Sequence, residues 1–150
     1  KKPYKIIVSG RIKHFISAFV EHVIAKEVEE ALQLAVEGTD AMVNEFTVAP
    51  QTNPEKGQLP YHEWFIEFER QPSDMVKFTT IIEEHMKKQN SYYLDLIAGN
   101  ILQPLKISTI KPNGFQEYMK TIGKLGGQNK VQRLSNDRKV ADGLEPFKIS

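Results

Sequence analysis

The sequence contains no cysteine, which excludes disulfides, thiolate nucleophiles and cysteine-rich zinc sites. It has no apolar run approaching the roughly 20 residues that a membrane-spanning helix needs, and no recognisable signal peptide. A chain without cysteines fits a reducing compartment. We therefore expect a cytoplasmic protein with no membrane partner.

The motifs of several enzyme classes are also missing. No Gly-x-Ser-x-Gly elbow is present, which argues against a serine hydrolase. The histidines do not have the helical spacing of a zinc protease. They are His14, His22, His62 and His85. We expect neither a metal site nor a nucleophilic triad.

The composition that is present is typical of one globular domain. The chain has 150 residues, of which 40% are hydrophobic and 26% charged, enough for a single sizeable core. The formal net charge is only +1, but the charge is unevenly distributed. Residues 120–139 hold six Lys or Arg against one Asp, while the region around Glu63 and Glu67 is acidic. A basic end can attract phosphate, although a solvated tail explains it equally well.

Hydrophobic periodicity predicts strands alternating with helices. An apolar stripe over 20–35 predicts a helix that ends near Gly38. Two further helices are predicted after Asp74 and after Asn113, the latter with Phe115 and Ile122 in its buried stripe, and a short helical segment over 92–97. The predicted strands span 4–9, 41–48, 61–70 and 105–110, with 12–19 ambiguous. Residues 123–150 show no periodicity, and we predict an irregular basic tail there.

A turn-rich loop over 51–60 joins two of these strands, which predicts an antiparallel hairpin. Alternation in the first strand places Met42 and Phe46 on one face. In the second strand the apolar residues, Trp64 among them, face one way and the glutamates the other. Together the elements predict an α+β fold, an α/β sandwich in which helices pack on a mixed, largely antiparallel sheet.

Two segments carry cations beside glycines. Residues 123–130 (GKLGGQNK) are not a phosphate-binding P-loop, because no Ser or Thr follows the lysine and a helix precedes the segment. A lysine on such a loop could still deliver positive charge to a phosphate. Near the start, Arg11 follows Gly10 and offers a planar fork for phosphate or carboxylate. An ordinary surface loop and a surface arginine are the simpler interpretations of these residues alone.

Residues 9–32 resemble the segment that opens the small carboxy-terminal domain of adenylate-forming enzymes. In those enzymes a Gly-Arg-x-Lys hinge leads into a helix through a Gly-Glu pair. Gly10, Arg11 and Lys13 match the hinge, and Glu21 matches the pair, with Val20 in place of the glycine.

Later stretches, 40–50, 61–69, 90–99 and 114–137, resemble a bacterial member of the Gretchen Hagen family of acyl acid amido synthetases. The most specific element is the pattern Gln128-x-Lys130-x-x-Arg133. The family usually has proline just before that arginine, where this chain has Gln132.

The resemblance implies that residues 1–150 are a single carboxy-terminal lid domain of a larger enzyme, whose N-terminal adenylation domain is its partner. The sequence begins at Lys1 in what reads as the middle of a strand, so we expect it to be a piece of a longer protein. The family uses ATP and Mg²⁺, bound mainly by the N-terminal domain, to activate a small carboxylic acid as acyl-AMP and transfer it to an amino acid. The isolated domain should be inactive.

The resemblance also assigns roles to residues of this chain. It makes Lys130 the catalytic residue, which steadies charge on the phosphate or acyl-adenylate oxygens. It makes Arg11, Glu21, His22 and Gln128 nucleotide-binding or hinge residues.

Two alternatives stay open at this stage. Four aromatic residues together with the basic end could form a surface that binds single-stranded nucleic acid. They are Tyr92, Tyr93, Phe115 and Tyr118. The last two also fit the buried stripe of the predicted helix, so we favour the lid and expect no nucleic-acid partner. A non-catalytic interaction module is the other alternative.

Overall fold

The computed structural model describes residues 25–51, 57–123, 133–135 and 138–149. These form five α-helices, one short 3-10 helix at Glu145–Phe147 and a three-stranded sheet. The helices are α1 (Ala25–Glu37), α2 (Met75–Gln89), α3 (Ser91–Ala98), α4 (Gly114–Thr121) and α5 (Lys139–Leu144). The strands are β1 (Met42–Gln51), β2 (Tyr61–Arg70) and β3 (Lys106–Ile110). The strand predicted over 4–9, the ambiguous segment and the start of the first helix lie outside the described residues.

The sheet has the order β1-β2-β3. Strands β1 and β2 pair antiparallel, which confirms the predicted hairpin, and β2 pairs parallel with β3. Helices cover both faces, so the predicted α+β class with a mixed sheet is confirmed. As the central strand, β2 is buried on both sides along most of its length, which its alternation of aromatic residues and glutamates did not show.

One face of the sheet, called here the apolar face, packs against α1, α2 and α3. Its core residues from β2 are Trp64, Ile66 and Phe68, and α2 contributes Phe78 and Ile82. The helices present them because their apolar residues recur every three or four positions. The predicted buried stripe of the second helix is thereby confirmed, as is that of the first helix over its described part, residues 28–35.

Side-chain caps define where α2 and α3 begin. The Asp74 carboxylate accepts a hydrogen bond from the backbone N–H of Lys77 at 3.0 Å. Asn90 ends α2, and its side-chain oxygen accepts from the N–H of Tyr93 at 3.1 Å to begin α3. Such caps satisfy amides that have no partner inside the helix. The two helices can therefore meet at one residue.

The opposite face, called here the mixed face, packs against α4 and α5. Its apolar residues include Phe65 of β2, Phe115 and Tyr118 of α4, and Leu144 of α5. Helix α5 lies within the segment that we predicted to be irregular. Its six residues span less than two turns, too few for a periodic pattern, and tertiary packing forms it instead. Gly143 lies so close to the Tyr118 ring that no Cβ would fit.

A bulge in β1 changes which side chains face inwards. The pairing with β2 shifts register between Val43 and Glu45, where Asn44 is the additional residue. As a result Val43 packs against the core, whereas Met42 is 43% exposed. The prediction that Met42 shares a face with Phe46 is wrong, because strict alternation does not continue through a bulge.

Beyond α4 the chain returns to both outer edges of the sheet. At the β1 edge, Val48 donates its N–H to the carbonyl of Arg133 at 2.9 Å and accepts from the N–H of Ser135 at 2.9 Å. At the β3 edge, Ile149 donates its N–H to the carbonyl of Thr109 at 2.8 Å. Helix α5 crosses the mixed face between these two attachments. The described part of 123–150 is thus an integral part of the fold.

Candidate functional site

All five residues singled out from the sequence lie outside the described residues. They are Arg11, Glu21, His22, Gln128 and Lys130. What the structure does describe is each end of the segment that carries Lys130. The segment follows Gly123, after α4, and leads to Arg133 on the edge of β1.

The first end is a glycine in the left-handed region. Gly123 has φ of +73° and donates its N–H to the carbonyl of Lys120 at 3.1 Å. Only glycine adopts this conformation without strain, and it commonly ends helices. The prediction that Ile122 belongs to the buried stripe is wrong, since it follows the last residue of α4 and is 45% exposed.

The second end is held by the side chain of Arg133. One guanidinium nitrogen, Nη1, bonds the Glu45 carboxylate and donates to the Phe46 carbonyl at 3.3 Å. Nε lies 3.6 Å from an Oε2 of Glu29 on α1. The guanidinium carbon is also 4.8 Å from the centre of the Phe46 ring. Arginine suits this place because its planar group can bond carboxylates and stack on a ring together.

The backbone reinforces this attachment. Residues 133–135 run parallel to β1 through a bridge between Val48 and Leu134, and Leu134 packs against the core of the apolar face. A hollow of about 210 Å³ lies beside Arg133 between α1 and β1. Its lining combines apolar and polar residues: Leu32, Gln33, Val36, Val43, Asn44, Glu45, Phe46 and Arg133. The end of the segment is thus fixed next to a solvent-accessible depression.

Two other basic residues of the carboxy-terminal region, Arg138 and Lys148, contact one buried carboxylate, Glu63 on the mixed face. Glu63 accepts hydrogen bonds from Ser108 Oγ at 2.5 Å, Arg138 Nη1 at 2.8 Å and Lys148 Nζ at 3.2 Å. Burial by itself would raise the pKa of Glu63, but these hydrogen bonds and the two cations lower it below its ordinary value. Glu63 therefore stays ionised and fastens the residues around α5 to the sheet.

A second buried carboxylate on the mixed face, Glu67, caps a helix. Its two oxygens accept from the N–H groups of Asn113 at 3.1 Å and Phe115 at 3.2 Å, at the start of α4. A carboxylate at a helix N-terminus also interacts favourably with the helix dipole. Asn113, in the left-handed region, makes no such side-chain bond itself. The distant strand thus supplies the cap.

The apolar face also contains buried titratable groups. Burial lowers the pKa of His62 to about 3, so its imidazole is neutral at neutral pH and stacks on the Tyr93 ring at 5.7 Å. Glu83 accepts from the Tyr93 hydroxyl at 2.7 Å and from the N–H of Leu105 at 3.2 Å. Burial, with the nearby charge of Glu83, raises the pKa of Tyr93 well above its ordinary value.

The sequence patterns missed these roles of the glutamates. Alternation correctly placed Glu63 and Glu67 opposite Trp64, but it does not show what covers that face. The one signal was the unequal charge distribution, acidic in the middle and basic at the end. Part of that basic charge is neutralised inside the domain, because Arg133 and Arg138 pair with glutamates.

The surface required by the nucleic-acid alternative is not formed. Tyr93, Phe115 and Tyr118 are buried, with exposures of 1%, 3% and 6%. Buried rings cannot stack on bases, since stacking needs an exposed face. Of the four aromatic residues considered, Tyr92 alone is partly exposed, so this alternative loses its main support.

The described ranges contain neither a cluster of metal ligands nor a helix that could span a membrane. No group of three or more His, Asp or Glu side chains there could hold a metal ion. No helix in these ranges is both long and apolar enough to cross a bilayer.

Comparisons with known proteins give a consistent result. The family model described as the GH3 family C-terminal domain matches residues 24–139. The solved structure titled "GH3.15 acyl acid amido synthetase" is similar with a TM-score of 0.63 and 22% identity, over 83% of this chain and 23% of that chain. The structure titled "AtGH3.15 acyl acid amido synthetase in complex with 2,4-DB" gives a TM-score of 0.62 with the same identity and coverage. No curated protein matches the sequence.

At this identity the two solved structures show the fold, and the chain spans about a quarter of their length. The family model covers most of the chain, which confirms the predicted resemblance to this family. The chain therefore belongs to the GH3 family, the Gretchen Hagen family, and corresponds to its C-terminal domain.

Proposed function

We propose that this domain is the carboxy-terminal lid of an ATP-dependent acyl acid amido synthetase. The observation that carries the proposal is the match of residues 24–139 to the GH3 family C-terminal domain. Two acyl acid amido synthetases share the fold, and the chain corresponds to only 23% of their length. A domain of this size would act together with an N-terminal adenylation domain, in the cytoplasm.

In the proposed reaction a carboxylate oxygen of the acyl acid attacks the α-phosphorus of ATP. The bond to the β-phosphate oxygen breaks, which releases pyrophosphate and leaves acyl-AMP. The amine of an amino acid then attacks the acyl carbon, loses a proton and displaces AMP to form an amide. Both steps develop negative charge on oxygens, which a suitably placed cation stabilises.

We assign that cation to Lys130. Because Lys130 is three residues before Arg133, their Cα atoms can be separated by at most about 11 Å. Arg133 is fixed to β1 through both side chain and backbone. The lysine can therefore act only near this edge of the sheet, which is where the proposed partner domain would present the phosphates. Gln128, Arg11, Glu21 and His22 are proposed to bind the nucleotide or to form the hinge.

The proposal leaves the binding of Mg²⁺ to the N-terminal domain. The described residues of this chain contain no cluster of carboxylates or histidines suitable for the ion. In this proposal the role of the chain is to supply Lys130 and to close over the nucleotide.

The test is Lys130→Ala in the full-length protein, assayed by pyrophosphate release and by amide formation across a panel of acids and amino acids. We expect the rate of at least one step to fall well over tenfold, in line with the loss of a few kcal/mol of charge stabilisation. Lys120→Ala is the matched control, because Lys120 is an exposed lysine at the end of α4, and it should retain the wild-type rate. An unchanged rate for Lys130→Ala would remove Lys130 from the mechanism.

A second readout tests the division of labour between domains. The 150-residue chain alone should not consume ATP, whatever acid and amine are added. Sustained ATP consumption by this chain would contradict its assignment as a lid.

A further inference from the structure

We infer that Glu45 is a positioning residue for this reaction, acting through Arg133 on the segment that carries Lys130. The inference rests on the proposed function and concerns how that site is held. Glu45 bonds the Arg133 guanidinium directly. It does so from β1 directly after the bulge, where the pairing with β2 changes register.

Glu45 is itself held in place. Its Oε1 accepts a hydrogen bond from the backbone N–H of Phe46 at 3.1 Å, so the carboxylate is fixed against its own strand. The Phe46 ring below the guanidinium is stacked on Trp64, with ring centres 6.2 Å apart and planes 11° apart. Trp64 is 1% exposed. Arg133 is thus bound to the rigid core of the domain.

Two carboxylates contact Arg133, and they differ in how much of each side chain is exposed to solvent. The Glu45 side chain is 19% exposed, whereas that of Glu29 is 54% exposed and its closest approach is 3.6 Å. Solvent screens ion pairs of the exposed kind, so they contribute little. Glu45 therefore provides most of the side-chain restraint, and Glu29 serves as a matched control of the same residue type and charge.

Loss of this restraint should affect the reaction more than the fold. The backbone bonds from Val48 to Arg133 and Ser135 do not involve the Glu45 side chain, so the strand pairing should survive its neutralisation. A catalytic group displaced by about 1 Å can lose on the order of a hundredfold in rate. We therefore expect Glu45→Gln to lower kcat about five- to tenfold in the full-length protein, with little change in the KM for the acid.

The decisive experiment is a double-mutant cycle with Lys130→Ala, measured as the rate of pyrophosphate release. If Glu45 acts through Lys130, Glu45→Gln should lower the rate at least fivefold when Lys130 is present and less than twofold when it is replaced. Glu29→Gln should change the rate less than twofold in either case. Arg133→Lys, which keeps the charge but removes the planar fork, should reproduce the loss seen with Glu45→Gln.

The outcomes separate this inference from the proposed function. A strong effect of Lys130→Ala combined with equal losses from Glu45→Gln in both backgrounds would overturn the positioning role alone. So would a wild-type rate for Glu45→Gln. No effect of Lys130→Ala would instead overturn the proposed role of the lysine, and the positioning role with it.

Discussion

The apolar and mixed faces of the sheet are filled by different means, although β2 contributes to both. On the apolar face its side chains are aromatic and aliphatic, and three helices bury them. On the mixed face Phe65 lies between two buried glutamates, Glu63 and Glu67. The first face is held by apolar area removed from water, and the second also requires specific charged partners.

The partners on the mixed face are distant in sequence. Arg138 and Lys148 are 75 and 85 residues from Glu63 along the chain. A buried carboxylate is destabilising unless cations and hydrogen bonds compensate for its lost hydration. The mixed face is therefore complete only with the carboxy-terminal region in place, whereas the apolar face is built mainly from consecutive elements.

The largest effect is expected on the apolar face. Trp64→Ala should reduce the free energy of unfolding by about 3–5 kcal/mol, because it removes a fully buried ring and leaves a cavity. Urea denaturation of this chain measures the loss. The control is Val76→Ala, at a position 76% exposed, which should change stability by less than about 0.5 kcal/mol. A loss below about 1 kcal/mol for Trp64→Ala would show that this face does not dominate stability.

An intermediate and pH-dependent effect is expected at Glu63. Glu63→Gln should cost about 2–3 kcal/mol at pH 7, because Arg138 and Lys148 lose the charge they share. The pKa of Glu63 is lower in the folded state, so its ionisation stabilises the domain above the ordinary pKa. This stabilisation is lost as the pH falls through the folded-state pKa. The difference between wild type and Glu63→Gln should therefore shrink in acid.

Urea denaturation from pH 7 to pH 3 checks this. Glu84→Gln is the control, because the side chain of Glu84 is 69% exposed, and it should follow the wild-type curve. A difference between wild type and Glu63→Gln that stays constant over this range would show that the charge of Glu63 is not what stabilises the mixed face.

The smallest effect is expected at Glu67. Glu67→Gln keeps the shape of the side chain but has only one accepting oxygen, so one of the two hydrogen bonds to α4 is lost and the other is weakened, at a cost of about 1–2 kcal/mol. The loss should be local, so amide hydrogen exchange should become faster at the start of α4 and remain unchanged in α2. Glu69→Gln, at an exposed position of the same strand, is the control. Unchanged protection of the α4 amides would contradict the capping role.

The same contrast explains how much of the fold could be predicted from the sequence. The elements of the apolar face were predicted well, since their amphipathic patterns are long and continuous. The errors occurred where the local hydrophobic pattern does not determine the structure. Met42 lies beyond a bulge, Ile122 lies past a helix end, and α5 is shorter than two turns.

The candidate site divides in a similar way. The motif around Lys130 and Arg133 was visible from resemblance, but its attachment was not. Nothing in the sequence near Arg133 indicates that Glu45, 88 residues away, is its partner. That pairing depends on where the chain returns to the sheet, beside β1, which is a tertiary feature.

The two attachments of the carboxy-terminal region have a further consequence for solubility. Outer strands present unpaired backbone groups, onto which a strand from another molecule can add. Here the backbone groups of Val48 at the β1 edge and of Thr109 at the β3 edge already form hydrogen bonds with later residues of the same chain. Removal of the residues from Arg133 onward would leave these backbone groups unpaired at both edges of the sheet. A shortened domain would therefore tend to aggregate through intermolecular strand addition.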